Sequence, residues 1–138
     1  MEKKTILDMH RDTPEQYRRR DKLPLTVVLD NIRSLNNIGS VFRTSDAFRV
    51  ERICLCGITA TPPSVEIHKT ALGAEDTVEW EYWKDTADCV KALRGRGVQV
   101  CALELVKGAV SLEKFPVTPG ASYAIVAGHE VDGVAPVS

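Results

Sequence analysis

Leu25-Thr26-Val27-Val28-Leu29-Asp30-Asn31-Ile32-Arg33-Ser34-Leu35-Asn36-Asn37-Ile38-Gly39-Ser40-Val41-Phe42-Arg43-Thr44-Ser45-Asp46-Ala47-Phe48 changes period in its middle. Leu25 to Leu29 is a short apolar run, β-branched at its centre, which predicts a buried strand. From Asn36 to Phe48 the apolar residues Ile38, Val41 and Phe42 fall at i, i+3 and i+4, the spacing of one helix face. Asn36 is the expected helix N-cap. Arg43 lies seven residues past Asn36 and four past Gly39, so a helix puts all three on roughly one face. Gly39 has no side chain and leaves room for a ligand or for another backbone.

The rest of the chain repeats this alternation. Arg52 to Cys56, Thr77 to Trp83, Val98 to Leu103 and Ser122 to Ala127 read as strands. Val65 to Leu72 and Thr86 to Arg94 read as helices, the second ended by Gly95 and Gly97. Ala109 to Phe115 fits a short extended or helical piece, and Pro116 to Gly120 a loop. Strands alternating with helices predict an α/β fold with a mostly parallel sheet and helices on both faces. Thr13-Pro14-Glu15-Gln16 is a helix start, with Thr13 as cap and Pro14 at the first helical position. The expected organisation is a short helical extension over residues 1–24 and one α/β domain over 25–138.

Bulk properties narrow the class. The chain has 138 residues, enough for one core, with 43% apolar and 27% charged residues, as globular proteins have. No apolar run approaches the roughly 18 residues that cross a bilayer, and Met1 to Arg20 is too charged for a secretory signal. The net charge of −1 argues against a protein that coats nucleic acid nonspecifically, and leaves room for an enzyme with a local basic patch. Met1 to Lys22 holds seven Lys/Arg and five Asp/Glu. Its cluster Arg18, Arg19, Arg20 and Lys22 suits a solvated helix face or a phosphate contact. Cys54, Cys56, Cys89 and Cys101 form no C-x-x-C pair and no zinc spacing. Reduced thiols in a cytoplasmic, metal-free protein are the simplest account, with Cys54 and Cys56 sharing one strand face in the core.

Ligands of open α/β sheets sit beyond the carboxyl ends of the strands. Two polar, Gly-bearing loops leave such ends, Asp30 to Gly39 and Gly128 to Gly133. In the first, Arg43 is a candidate phosphate contact, because its fork binds two oxygens at once. The same spacing also fits a surface pair of Arg43 with Asp46, with Asn36 and Asn37 as caps only. In the second, Gly128-His129-Glu130-Val131-Asp132-Gly133 could bring backbone groups close to a small ligand and add acid/base chemistry through His129 or Glu130. A plain turn fits as well. Lys69 meets either an RNA phosphate or solvent beside Glu66 and Glu75. Trp80, Tyr82 and Trp83 alternate across a strand, so at least one is core. Base stacking has no support at this level. Neither G-x-G-x-x-G after a strand nor a Walker loop is present.

Together these residues resemble the SpoU (TrmH-like) branch of the SPOUT RNA methyltransferases. Its first motif, an Asn, a second Asn six positions on, a small residue, then Arg-Thr, is matched by Asn31, Asn37, Gly39, Arg43 and Thr44. Its second, G-x-E-x-x-G plus an aliphatic residue, is matched by Gly128, Glu130, Gly133 and Val134. Lys69 to Ala74 is also similar, and the resemblance spans Leu25 to Val134. It implies an α/β sheet tied in a trefoil knot, a homodimer, and methyl transfer from S-adenosylmethionine to a ribose 2′-hydroxyl of tRNA or rRNA. It implies Arg43, Asn37 and Glu130 as catalytic residues and Gly128, His129, Gly133 and Val134 as cofactor-binding. Asn31, Arg33 and Lys69 are implied on the RNA. A third motif, a serine-leucine-asparagine stretch past the second, is not within residues 1–138, so the knot is expected incomplete and methyl transfer by these residues alone weak or absent. The alternatives are a SPOUT-fold RNA binder without activity, and an unrelated α/β enzyme acting on a small phosphorylated metabolite.

Overall fold

The computed structural model describes residues 4–5, 22–106, 109–110, 116–117 and 120–128. The order is β1 (Lys4–Thr5), β2 (Leu23–Asp30), α1 (Leu35–Ala47), β3 (Val50–Cys56), α2 (Val65–Ala71), a 3-10 turn (Ala74–Asp76), β4 (Trp80–Trp83), α3 (Thr86–Gly95), β5 (Gln99–Val106), β6 (Ala109–Val110), β7 (Pro116–Val117) and β8 (Tyr123–Gly128). The main sheet runs β4-β3-β2-β8-β5-β6. Its first five strands are parallel, and β6 adds antiparallel to β5 at one edge. The predicted α/β class with a mostly parallel sheet is therefore the observed one. The knot and the helix starting at Pro14 are expectations that lie outside the described residues.

β2 lies between β3 and β8 and is covered on both faces, which is why its sequence is a continuous apolar run rather than an alternation. It begins at Leu23, two residues earlier than predicted. Pro24, which has no N–H to donate, stands where the β2–β3 register shifts between Leu23 and Thr26. Residues of opposite parity feed two cores. Val27, Leu29, Ile53, Leu55 and Ile125 pack with Ile38, Val41 and Phe42 of α1 and Ile67 of α2. Val28, Cys54, Cys56, Ala124 and Val126 pack with Cys89, Val90 and Leu93 of α3. Helices thus cover both faces, and the helix face predicted from Ile38, Val41 and Phe42 is the buried one.

Differences from the sequence expectation lie at element ends. Ser34, not Asn36, caps α1: its Oγ accepts from the Asn37 N–H at 3.1 Å. Asn36 is already inside the first turn, where its carbonyl accepts from the Thr70 hydroxyl at 2.8 Å. β4 starts at Trp80 rather than Thr77, because the Thr77 hydroxyl donates to the Ala74 carbonyl and ties that residue to the preceding 3-10 turn. Pro116–Val117, expected as loop, pairs antiparallel with Lys4–Thr5.

Candidate active site

The chain passes from β2 to β3 and β4 on one side of the sheet, then crosses to β5 and returns through β8. The carboxyl ends of β2 and β8 therefore flank the reversal, the place where open α/β sheets bind ligands. Register makes this specific. Asp30 stands opposite Gly128 on β8 and opposite Cys56 on β3, and Glu104 of β5 stands opposite Gly128 on its other side. The two loops singled out in the sequence thus leave adjacent strands at adjacent residues.

The corner after β2 is pinned by side chains. Asp30, 7% exposed, accepts at Oδ1 from the Thr86 hydroxyl at 2.6 Å and from Asn31 Nδ2 at 2.9 Å. A buried carboxylate needs such donors to offset lost hydration. Asn31 adopts a left-handed backbone, φ 54°, and its Oδ1 accepts from the Ile58 N–H at 3.0 Å. Gly57 is required opposite it: φ is +66°, and a Cβ there would collide with Asn31 Oδ1. The Ile32 N–H donates to Thr59 Oγ1 at 2.9 Å, and the Thr59 hydroxyl donates to the Leu29 carbonyl at 3.2 Å. Thr59 and Thr86 were not found from sequence; their partners are 27 to 56 residues away, and no local pattern marks them.

Arg43 is exposed on α1. Asp46, its alternative partner, accepts at Oδ1 from the Thr77 hydroxyl at 3.1 Å. Among the described residues no ion pair joins Arg43 to a carboxylate. Gly39 does not clear a ligand space. A Cβ there would collide with Thr70 Oγ1 and the Ile67 carbonyl oxygen of α2, so the second use foreseen for it, close approach of another backbone, is the observed one. Asn37 is half-buried in the first turn of α1, one turn from the corner, and Arg33 is exposed at the corner itself. Gly128 is buried at the end of β8. His129, Glu130, Gly133 and Val134 lie outside the described residues.

Lys69 sits apart, on α2, with Nζ 2.9 Å from Glu66 Oε1 and both side chains exposed. Such a pair contributes at most about 1 kcal/mol and is open to exchange for a phosphate. Its neighbour His68 holds Glu75 through Nδ1 at 2.6 Å. Burial pushes Glu75 up, but bonds from its own backbone N–H, from His68 and from the Gly73 N–H outweigh this and hold its carboxyl below the usual value. An open cleft of about 580 Å³ lies beside this pair, lined by Pro62, Pro63, Val65 and Trp80 among others, away from the β2–β8 rim. Cys54 and Cys56 share a buried face as expected. The contact with Cys89 and burial push the Cys54 thiol far up. Cys89 is pulled down by Cys54, but its bond to Cys56 and burial win and push it up to about 12. Neither is a nucleophile at neutral pH. Among the described residues no three His, Cys, Asp or Glu side chains could hold a metal ion, and no helix is long and apolar enough to cross a membrane.

A family model described as the SpoU rRNA methylase family matches residues 24–137. The 23S rRNA (guanosine-2'-O-)-methyltransferase RlmB of Vibrio cholerae serotype O1 is 29% identical over 111 residues, 80% of this chain and 44% of that protein. The chain thus spans less than half the length of this relative. Among solved structures, a TrmH/SpoU tRNA modifying enzyme of A. aeolicus superposes with a TM-score of 0.65 at 24% identity, over 85% of this chain and 58% of that one. An AdoMet-bound rRNA methyltransferase of Sinorhizobium meliloti gives 0.63 at 24% identity, over 97% and 46%. At these identities the two structures speak to the fold.

Proposed function

The chain belongs to the SpoU rRNA methylase family, and from that membership we propose that it transfers a methyl group from S-adenosylmethionine to a ribose 2′-hydroxyl of rRNA or tRNA. The observation that carries the proposal is the register of Asp30 with Gly128. It sets the Asn31-to-Arg43 corner and the start of the Gly128 loop side by side at the topological switch point. Relatives named as rRNA 2′-O-methyltransferases and an AdoMet-bound neighbour support the substrate and cofactor classes. An unrelated enzyme of small phosphorylated metabolites loses its support with family membership.

The rim fits the cofactor chemically. A buried carboxylate, Asp30, stands one strand from Gly128. That combination suits a sulfonium cation and close approach of an adenosyl group to main chain. Gly128, His129, Gly133 and Val134 would hold it. When bound, S-adenosylmethionine would supply the methyl group and leave as the neutral thioether, while the ribose 2′-oxygen would give its proton to solvent. The Arg43 guanidinium acts by charge, steadying the negative charge that develops on the 2′-oxygen and on the adjacent phosphate. Asn37 orients Arg43 and the ribose, and Glu130 completes that network. Asn31, Arg33 and Lys69 face the RNA. Residues 25–138 form the methyltransferase domain and residues 1–24 a short extension of that domain, in a homodimer that works in the cytoplasm without a metal.

The test uses labelled S-adenosylmethionine and total RNA. The full-length protein labels RNA at ribose, and Arg43→Ala lowers kcat by about 100-fold or more, the usual effect of removing one preorganised charge contact. Label transfer unaffected by Arg43→Ala would refute the mechanism, and label found on a base would refute the reaction.

A further inference from the structure

We infer that Tyr82 and Ile58 form a stacking platform for an unpaired nucleotide of the RNA, next to the corner that carries the site. This deepens the proposed function and rests on it. Tyr82 lies opposite Leu55 in the β3–β4 register, on the face covered by α1 and α2, near the carboxyl edge of β4. It is 49% exposed, and Ile58 is 57% exposed.

The Tyr82 ring and the Ile58 backbone are both tethered in spite of that exposure. The Tyr82 hydroxyl donates to the Gly57 carbonyl at 2.6 Å. The Gly57 N–H donates to the Trp83 carbonyl at 2.9 Å, and the Ile58 N–H is held by Asn31 Oδ1. Tethering its hydroxyl leaves the ring with one orientation and a free face, so little rotamer entropy remains to be lost on binding. Through Gly57 and Asn31 the platform is joined to the β2 corner, one residue from Asp30 and two from exposed Arg33.

Family membership and continuity with the corner favour RNA as the occupant. Strand alternation sends Glu81 to the other face, where it accepts from the Cys54 thiol at 3.5 Å and pairs with Arg52. Exposed Lys84 lies two residues past Tyr82 and is followed by exposed Asp85, and exposed Arg33 lies two residues past Asn31, whose side chain holds the Ile58 N–H. An exposed aromatic face is what an unpaired base stacks on, and stacking of this kind accepts any base. A base still paired and stacked in a duplex has no free face to offer, so the platform selects an unpaired segment.

The experiment is fluorescence anisotropy of the full-length protein with a labelled single-stranded RNA of about 10 nucleotides. The same sequence as a duplex is measured in parallel, together with the oligomeric state. Tyr82→Ala is expected to weaken single-strand binding on the order of tenfold, with a much smaller effect on the duplex. Tyr82→Phe keeps the ring and loses most of this effect. Ile58→Ser, whose anchoring bond is made by backbone, weakens binding several-fold and serves if Tyr82→Ala does not fold. Wild-type binding and methylation with Tyr82→Ala and Ile58→Ser unaffected would overturn the platform alone. A change in oligomeric state with RNA affinity intact would show a contact between copies instead, and would overturn it too. Wild-type protein that binds no RNA would overturn both this inference and the proposed function.

Discussion

Gly39→Ala should destabilise the protein although it improves a helix. Replacing an interior helical glycine by alanine is worth about 1 kcal/mol in propensity. Here the added methyl would collide with the Ile67 carbonyl oxygen and Thr70 Oγ1 and stand 2.9 Å from the Ala71 nitrogen. Thr70 can rotate away, giving up its bond to the Asn36 carbonyl, at a cost of about 1 kcal/mol. The Ile67 carbonyl cannot rotate, because it belongs to the backbone of α2. Relieving it means moving α2 outward, while Ile67 and Ala71 are fully buried against the first core. Overpacking of that kind costs about 1–3 kcal/mol. Setting these costs against the propensity gain leaves a net loss of about 1–3 kcal/mol. For a domain of this size that lowers Tm by roughly 3–10 °C. Thermal and urea unfolding followed by circular dichroism would measure it. Adding Thr70→Ala should recover part of the loss but not all, since the carbonyl clash remains. A Gly39→Ala protein as stable as wild type, or more so, would refute the close approach of α1 and α2.

Glu75 gives a pH signature. Its carboxyl is held below the usual value, so its contribution to stability is complete above the ordinary glutamate pKa, about 4.3, and is lost as pH falls through the lower folded-state value. In urea unfolding, the gap between wild type and Glu75→Gln should therefore be widest near neutrality and close in acid; a gap that is constant or widens in acid refutes the His68–Glu75–Gly73 arrangement. The thiols give a second signature. Cys54, Cys56 and Cys89 are fully buried and Cys101 is half-buried. A disulfide reagent at pH 8 should modify Cys101 in the native protein and the other three only after unfolding, and rapid reaction of Cys89, held at about 12, would contradict the packing.

The elements legible in the sequence were those whose pattern is set by burial. β2, β3, β8 and the inner face of α1 carry continuous apolar runs or helical spacing because each is covered on the faces concerned. The ends were less legible, since they depend on partners distant in sequence. Ser34 and Asn36 are equally good caps, and the choice follows from Thr70, 34 residues on, engaging the Asn36 carbonyl. β6 and β7 are two-residue ladders fixed by the strands they meet, with no periodicity to read. The site divided the same way. The Asn31 to Phe48 block and Gly128 were legible as motifs, and sheet register places them together. The pins Thr59, Gly57 and Thr86 act through single hydrogen bonds or a single close contact across the fold. Such contacts leave no trace in spacing.

The β2–β8 pairing also orders events in time. Asp30 and Gly128 touch across the sheet but are separated by about a hundred residues of chain, the kind of nonlocal contact that slows folding. During synthesis β2, α1, β3, α2 and β4 can assemble as a local unit, with Asn31 already clipped to Ile58. The seat of β8, between β2 and β5, stays open until the strand emerges. The nascent chain therefore carries its corner early without the strand beside it, and β8 acts as a closing key whose late insertion brings Gly128 to Asp30 only as the sheet is completed.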